Sequence, residues 1–293
     1  GLALDSLSPT LSWEHPVREA LQAAANLIGA VVQRVAVADT LRRKDQILEA
    51  VSFAAEKLLG LPRWQEEIEQ VLERLGEAAD VGRVAVQEIR PGPDGEERLY
   101  WLHAWASAEF PPSMPGPPEG LPIVASGYAA VLQSLRRGQA QVLPPADAPP
   151  EVKEVIRRLG IFSVLSLPVH VQGQLWGVIG FSECRGERVW TAPEIDALRT
   201  SAEILGVAME RQQGDEALRE SEERYRSLVE GTDQVIALID RRGVFRFANA
   251  RALTYLGVES LVGRTMWEFF PREVADRQMR SIHDAMDRGE LRV

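Results

Sequence analysis

The sequence predicts an α+β fold, an antiparallel sheet flanked by helices, and three observations carry that expectation. Two pairs of alternating apolar segments, each joined by a short turn, read as β-hairpins. The segments around them carry apolar residues three and four apart, the period of an amphipathic helix. The chain also echoes itself: at an offset of 177 positions (190 minus 13), Trp13 meets Trp190, Pro16 meets Pro193, Ala20-Leu21 meets Ala197-Leu198, and Gly29 meets Gly206. Ala25 with Ala202, Arg34 with Arg211, and Leu41-Arg42 with Leu218-Arg219 extend the echo. Residues 1–40 therefore read as the end of one domain and its connecting helix, and residues 41–211 as a complete second copy.

Within that copy, 41–59 and 63–79 read as amphipathic helices. Residues 83–89 read as a strand, and the turn residues PGPDGE lead to a partner strand over 98–107. Residues 108–126 contain six prolines, which oppose ladder hydrogen bonding and predict a loop over the sheet. A helix over 127–137, a short strand over 140–143 and a helix over 149–159 follow. Residues 161–171 and 175–184 form the second hairpin around Gln172-Gly173. Thr191-Ala192-Pro193-Glu194 then starts a long helix, with threonine as cap and an acid in the first turn.

Composition narrows the function classes. The 293 residues include 43 acidic against 33 basic side chains, a net charge of −10, which opposes nucleic-acid binding through a basic face. One cysteine excludes an internal disulfide and any multi-cysteine zinc site, and it fits a reducing compartment. No apolar run approaches the roughly 20 residues of a membrane span. Phosphate-binding glycine loops and a Gly-x-Ser-x-Gly elbow are absent from the sequence.

The segment 160–169 (GIFSVLSLPV), then 175–181 (LWGVIGF), then Glu187 to Trp190 with Glu194-Ile195, resembles the GAF domain of signalling proteins. Further on, a helix over 222–230, a strand at Val235–Asp240, the turn Arg241-Arg242-Gly243, a strand ending at Asn249 and a helix stopping at Gly257 are similar to the first two-thirds of a PAS domain. Residues 221–293 are thus expected to hold the N-terminal part of a PAS fold, and 206–228 a linker or signalling helix. Ala208, Asp215, Leu218, Tyr225 and Leu228 fall near a heptad seam, which predicts a parallel homodimeric coiled coil.

Strand alternation places Trp101, His103 and Trp105 on one face, two indoles beside an imidazole. The GAF resemblance implies a small-molecule pocket on the sheet face, so these residues and Tyr128 are its candidate lining. Phe247 and Asn249 are candidates for a second pocket in the PAS-like part. The sequence requires no cofactor, names no ligand and presents no metal cluster. It argues against a bilin, because Cys184 lacks the context of an attachment site, and against haem at His103. Enzymes of the GAF fold that reduce methionine sulfoxide exchange several thiols, and this chain has one. The expectation is a cytoplasmic sensory and relay module without a catalytic site of its own. Its implied parent is a sensor histidine kinase, or else a diguanylate cyclase or phosphodiesterase; the alternative is a ligand-free structural spacer.

Overall fold

The computed structural model describes residues 15–110, 118–123, 128–143, 153, 156–157 and 160–288. Trp13, the first residue of the echo, and most of the expected 149–159 helix lie outside the described residues. The chain divides into two compact units, Gly1–Gln213 and Gly214–Val293.

The first unit is built on one six-stranded antiparallel sheet, with spatial order β3-β2-β1-β6-β5-β4. Its strands are β1 (Arg83–Pro91), β2 (Glu97–Ala106), β3 (Leu121–Pro122), β4 (Gln141–Leu143), β5 (Ser163–Val171) and β6 (Gln174–Glu183). The two expected hairpins are the β1–β2 and β5–β6 pairs. Gln172 and Gly173, both with positive φ, form the two-residue turn of the second, the backbone that matches strand twist. Within the proline-rich stretch, Leu121 and Pro122 form a short edge strand on β2, although a loop was expected there. Proline is tolerated because the edge needs no further donor.

Three helices cover one sheet face: α1 (His15–Gly60), α2 (Ile68–Ala79) and α4 (Ala192–Glu230). A 3-10 turn, Trp64–Glu66, separates the first two. The core between them and the sheet includes Ile47, Leu58, Leu72, Leu75, Leu167, Phe181, Leu198 and Leu205. Apolar residues in register on successive strands make this face continuous, and each buried aliphatic side chain contributes roughly 1.5–3 kcal/mol. On the other face, α3 (Ala129–Arg136) packs with Leu99, Leu143, Ile161 and Val178 into a smaller core.

The helix expected over 206–228 is part of one continuous helix ending at Glu230. Its N-terminus is fixed by a buried ionic node. Glu194 accepts from the Thr191 backbone N–H (2.9 Å) and hydroxyl (2.8 Å). Arg188 bridges Glu194 (3.1 Å), Glu183 (3.5 Å) and the carbonyls of Ala79 and Asp80 (2.8 and 3.0 Å). Arg43 of α1 reaches the same Glu194 oxygen at 3.5 Å. The node therefore joins the end of β6, the end of α2, the start of α4 and the side of α1.

The described part of the second unit holds the two-stranded pair β7 (Ala237–Ile239) and β8 (Phe245–Ala248). Helices α5 (Ala250–Leu256), α6 (Met266–Phe269) and α7 (Arg272–Arg288) follow, around a core of Phe245, Ala252, Leu261, Met266, Ala275 and Met279. Within α1, the segment Glu19–Gly60 contains a window long and apolar enough, by length and composition, to cross a membrane. Arg34 interrupts this stretch, so it contains no uninterrupted apolar run of that length.

Candidate functional site

The sheet face under α3 carries a half-open, mainly apolar cavity with about 80 Å³ of space for water-sized centres. Its floor follows from register. Ser166 on β5 is opposite Gly180 on β6, Gly180 is opposite Ala85 on β1, and Ala85 is opposite Ala104 on β2. All four line the cavity, so one cross-strand row of small side chains forms a trough across the sheet. Larger groups form the walls: Trp101, Leu99, Leu121, Tyr128, Leu143, Ile156, Ile161 and Val164.

Polar groups are few. The Tyr128 hydroxyl is 3.3 Å from the Ser166 hydroxyl, and burial pushes the Tyr128 phenol up despite that bond. Arg83 and Ser182, cross-strand partners, both line the cavity, and the Arg83 guanidinium lies 5.7 Å from the centroid of the Phe110 ring. Cys184 packs in the core beside the cavity as a free, buried thiol, which burial pushes up and so keeps protonated.

The structure separates the residues that alternation placed together. Along β1–β2 the register steps from Val86–His103 to Gln87–Trp101, leaving Leu102 unpaired. This bulge reverses the facing of every residue beyond it. Trp101 and Tyr128 therefore line the cavity, whereas Trp105 packs in the helix-side core and His103 stands against Trp64 at 5.4 Å. Burial lowers the His103 pKa against an opposing pull from Glu69, which favours the neutral imidazole. A second bulge, between Val169–Gly177 and His170–Leu175, leaves Trp176 unpaired and 6.3 Å from Trp64. The expected single aromatic face is thus two sites on opposite sides of the sheet.

In the second unit, Asn249 does not face an open pocket. It is the buried N-cap of α5: its Oδ1 accepts from the Ala252 and Ile236 N–H groups, and its Nδ2 donates to the Val229 and Gln234 carbonyls. Its hydrogen-bonding capacity is committed to the backbone. Phe247 is half-buried on β8 opposite Leu238. Arg83, Ser166, Gly180 and Ser182 escaped the sequence reading. Among the described residues no cluster of metal-ligating side chains occurs.

Comparison with known proteins agrees with this architecture. The GAF domain family matches residues 63–209 and a PAS domain family matches residues 223–287. The methanogenesis regulatory histidine kinase FilI of Methanothrix harundinacea is 31% identical over 172 residues, covering 58% of this chain and 19% of that protein. The circadian input-output histidine kinase CikA of Synechococcus elongatus is 27% identical over 150 residues, covering 46% and 20%. The chain thus spans about a fifth of the length of the curated relatives it matches. Similar solved folds include a far-red-absorbing dark-state protein with bound biliverdin IXa (TM-score 0.46, 14% identity, 56% of this chain and 99% of that one). Another is the phycocyanobilin-bound GAF domain of a cyanobacterial phytochrome (TM-score 0.45, 16% identity, 59% and 96%). Both are solved with a bilin, and they overturn the expectation set against one: bilin binding is possible for this fold. That expectation rested on the sequence around Cys184 alone, which says nothing of the space a fold encloses. With the sheet, the helices and the match to half its length agreeing, the chain belongs to the GAF family, its GAF domain followed by a PAS domain in a sensory module related to histidine kinases.

Proposed function

We propose that this chain is the sensing and relay section of a cytoplasmic signalling protein, with a small molecule bound in the trough and a histidine kinase as its output. The observation that carries the reading is the row Ser166–Gly180–Ala85–Ala104, which opens a cavity on the sheet face opposite α1 and α4. Occupancy there bears on strands β1 and β6, and the residue after Ser182 is Glu183 of the ionic node that holds α4 and α1. A ligand shifts that packing only by favouring one of two arrangements of sheet and helix. Kinship with two histidine kinases supports the output. The free thiol of Cys184 is in keeping with a reducing cytoplasm.

The long helices serve in this reading as the contact with a second copy. Val207, Leu218, Tyr225 and Leu228 are exposed along one heptad seam of α4, as are Leu27, Val31, Leu41 and Leu48 along α1. A parallel homodimer covers both seams. Residues 1–40 act as the end of a preceding GAF-like domain and its connecting helix, 206–228 as the linker between GAF and PAS domains. The PAS pocket around Phe247 belongs to the proposal only as an apolar surface.

Native mass spectrometry of the purified chain, with absorbance titration by biliverdin, tests the ligand. A retained small molecule or a saturable titration is expected, and loss of either in Gly180→Leu. A trough that is empty, binds no added compound and is indifferent to that substitution refutes ligand sensing and leaves a structural spacer. Light scattering is expected to give a dimer that Leu218→Glu with Tyr225→Glu dissociates; a monomeric mass overturns the coiled coil.

A further inference from the structure

We infer that the trough takes a compact, uncharged amide, a flat apolar body with an N–H donor beside a carbonyl acceptor, and that the Gln87 carboxamide reads that pair. This deepens the ligand-binding reading above and rests on it. Register carries Gln87 to the cavity. On β1 it follows Ala85 by two residues, opposite Trp101 on β2 and Val178 on β6, and it lines the cavity with Ala85 and Trp101. Its side chain extends over the floor, where Oε1 is 3.7 Å from the place a methyl on Gly180 would take. Gln87 is half-buried, and among the described residues its side-chain amide has no hydrogen-bond partner.

A carboxamide sets one acceptor and one donor side by side, and its complement is a ligand edge with donor and acceptor at the same spacing. The two bonds fix the orientation of the ligand as well as holding it. Trp101 supplies a flat indole wall beside this group, and Leu99, Leu143, Ile161 and Val164 give an apolar surround that suits a planar body. The Tyr128–Ser166 hydroxyl pair, 3.3 Å apart on the β5 side, is a second neutral polar point. The walls also set the charge of the ligand. Carboxylates are missing from the described lining, and Arg83, its one charged residue, is already engaged within the protein. An ion entering the trough would shed water without meeting an uncompensated partner, which is costly. A neutral amide exchanges its hydrogen bonds with water for bonds with Gln87.

Isothermal titration of the full chain with two matched pairs of probes tests both halves of the inference. 2-Quinolone and coumarin share one bicyclic shape and one carbonyl, and differ by an N–H against a ring oxygen. 2-Naphthamide and 2-naphthoate differ in charge at equal size. The quinolone is expected to bind about tenfold or more tightly than coumarin, whose ring oxygen faces Gln87 Oε1 and leaves that acceptor unpaired. The naphthamide is expected to exceed the naphthoate by about the same margin or more. In Gln87→Leu the quinolone-to-coumarin ratio falls to about one, while coumarin binding persists within about twofold and so reports that the fold survives. Equal binding of quinolone and coumarin by the wild type overturns the inference, as does a ratio that Gln87→Leu leaves intact or a naphthoate that binds as well as its amide. In each of these results the ligand-binding reading stands if Gly180→Leu removes binding. Should Gln87→Leu lose every probe, Gln87→Asn, which withdraws the amide by one methylene, carries the decision: a reduced ratio supports the inference and the wild-type ratio overturns it. Failure of all the probes to bind the wild type overturns the inference, and native mass spectrometry with biliverdin titration then decides the ligand-binding reading separately.

Discussion

Replacing Arg188 by methionine is expected to unlatch α4 from the sheet. The guanidinium is nine-tenths buried and bonds two carboxylates and two main-chain carbonyls, and its central carbon lies 4.3 Å from the centroid of the Trp190 ring. Methionine fills similar space but leaves the nearly buried carboxylates of Glu183 and Glu194 without this cation. Removing one member of such a buried set costs about 3–5 kcal/mol. At roughly 2–4 °C per kcal/mol for a unit of this size, the melting temperature falls by about 6–20 °C. Burial raises the Glu194 pKa, but the bonds from Thr191 and the Arg188 charge outweigh it and hold the carboxyl below its ordinary value. A lowered folded pKa contributes stability above the unfolded value, near 4.5, that is lost as pH falls through the folded one. Without Arg188 the carboxyl pKa rises, so the deficit of the variant is largest where Glu194 is ionised in both proteins and narrows as falling pH protonates the acid of the variant first. Urea unfolding at pH 8.0, 7.0 and 5.5, followed by tryptophan fluorescence and circular dichroism, reads both effects. A loss under 1 kcal/mol at pH 7, or a deficit that widens as pH falls, refutes the reasoning. Arg185, more exposed and paired with Glu109 at 2.9 Å, is the control, and its alanine variant should lose no more than about 1 kcal/mol.

Two neighbouring glycines should respond in opposite ways. A methyl at Gly180 meets Gln87 Oε1 at 3.7 Å and Val164 at 3.9 Å, ordinary contact, so Gly180→Ala should melt close to the wild type. A methyl at Gly177 overlaps the Gln87 main-chain carbonyl, and Gly177→Ala should cost about 1–3 kcal/mol or more by differential scanning calorimetry. Asn249→Ala loses the cap of α5 and orphans the Ile236 N–H and the Val229 and Gln234 carbonyls. It should destabilise the PAS unit by roughly 2–4 kcal/mol, seen as faster hydrogen exchange over residues 229–256 with the GAF sheet unchanged.

Much of the fold was legible because its signals are local. The β5–β6 hairpin announces itself through alternation and Gln172-Gly173, and the start of α4 through Thr191 and Glu194, since turns and caps are decided within a few residues. The candidate site was read less well. Trp101 and His103 are two residues apart, and nothing local says that Leu102 between them is skipped by the partner strand. Arg188 looks like any surface arginine until Ala79, Glu183 and Glu194 are brought around it.

The sequence by itself determined that this chain has a GAF domain and a PAS domain, which segments are helices and strands, and that ordinary catalytic motifs are missing. Those properties depend on residue period, on turn chemistry and on composition. The tertiary structure alone decided which side of the sheet each aromatic faces, that Ser166, Gly180, Ala85 and Ala104 form one trough, and that Arg83 is buried at its wall. A binding surface on a sheet is assembled across strands distant in sequence. Its geometry is fixed by register, and a single unpaired residue is enough to turn a side chain from one face to the other.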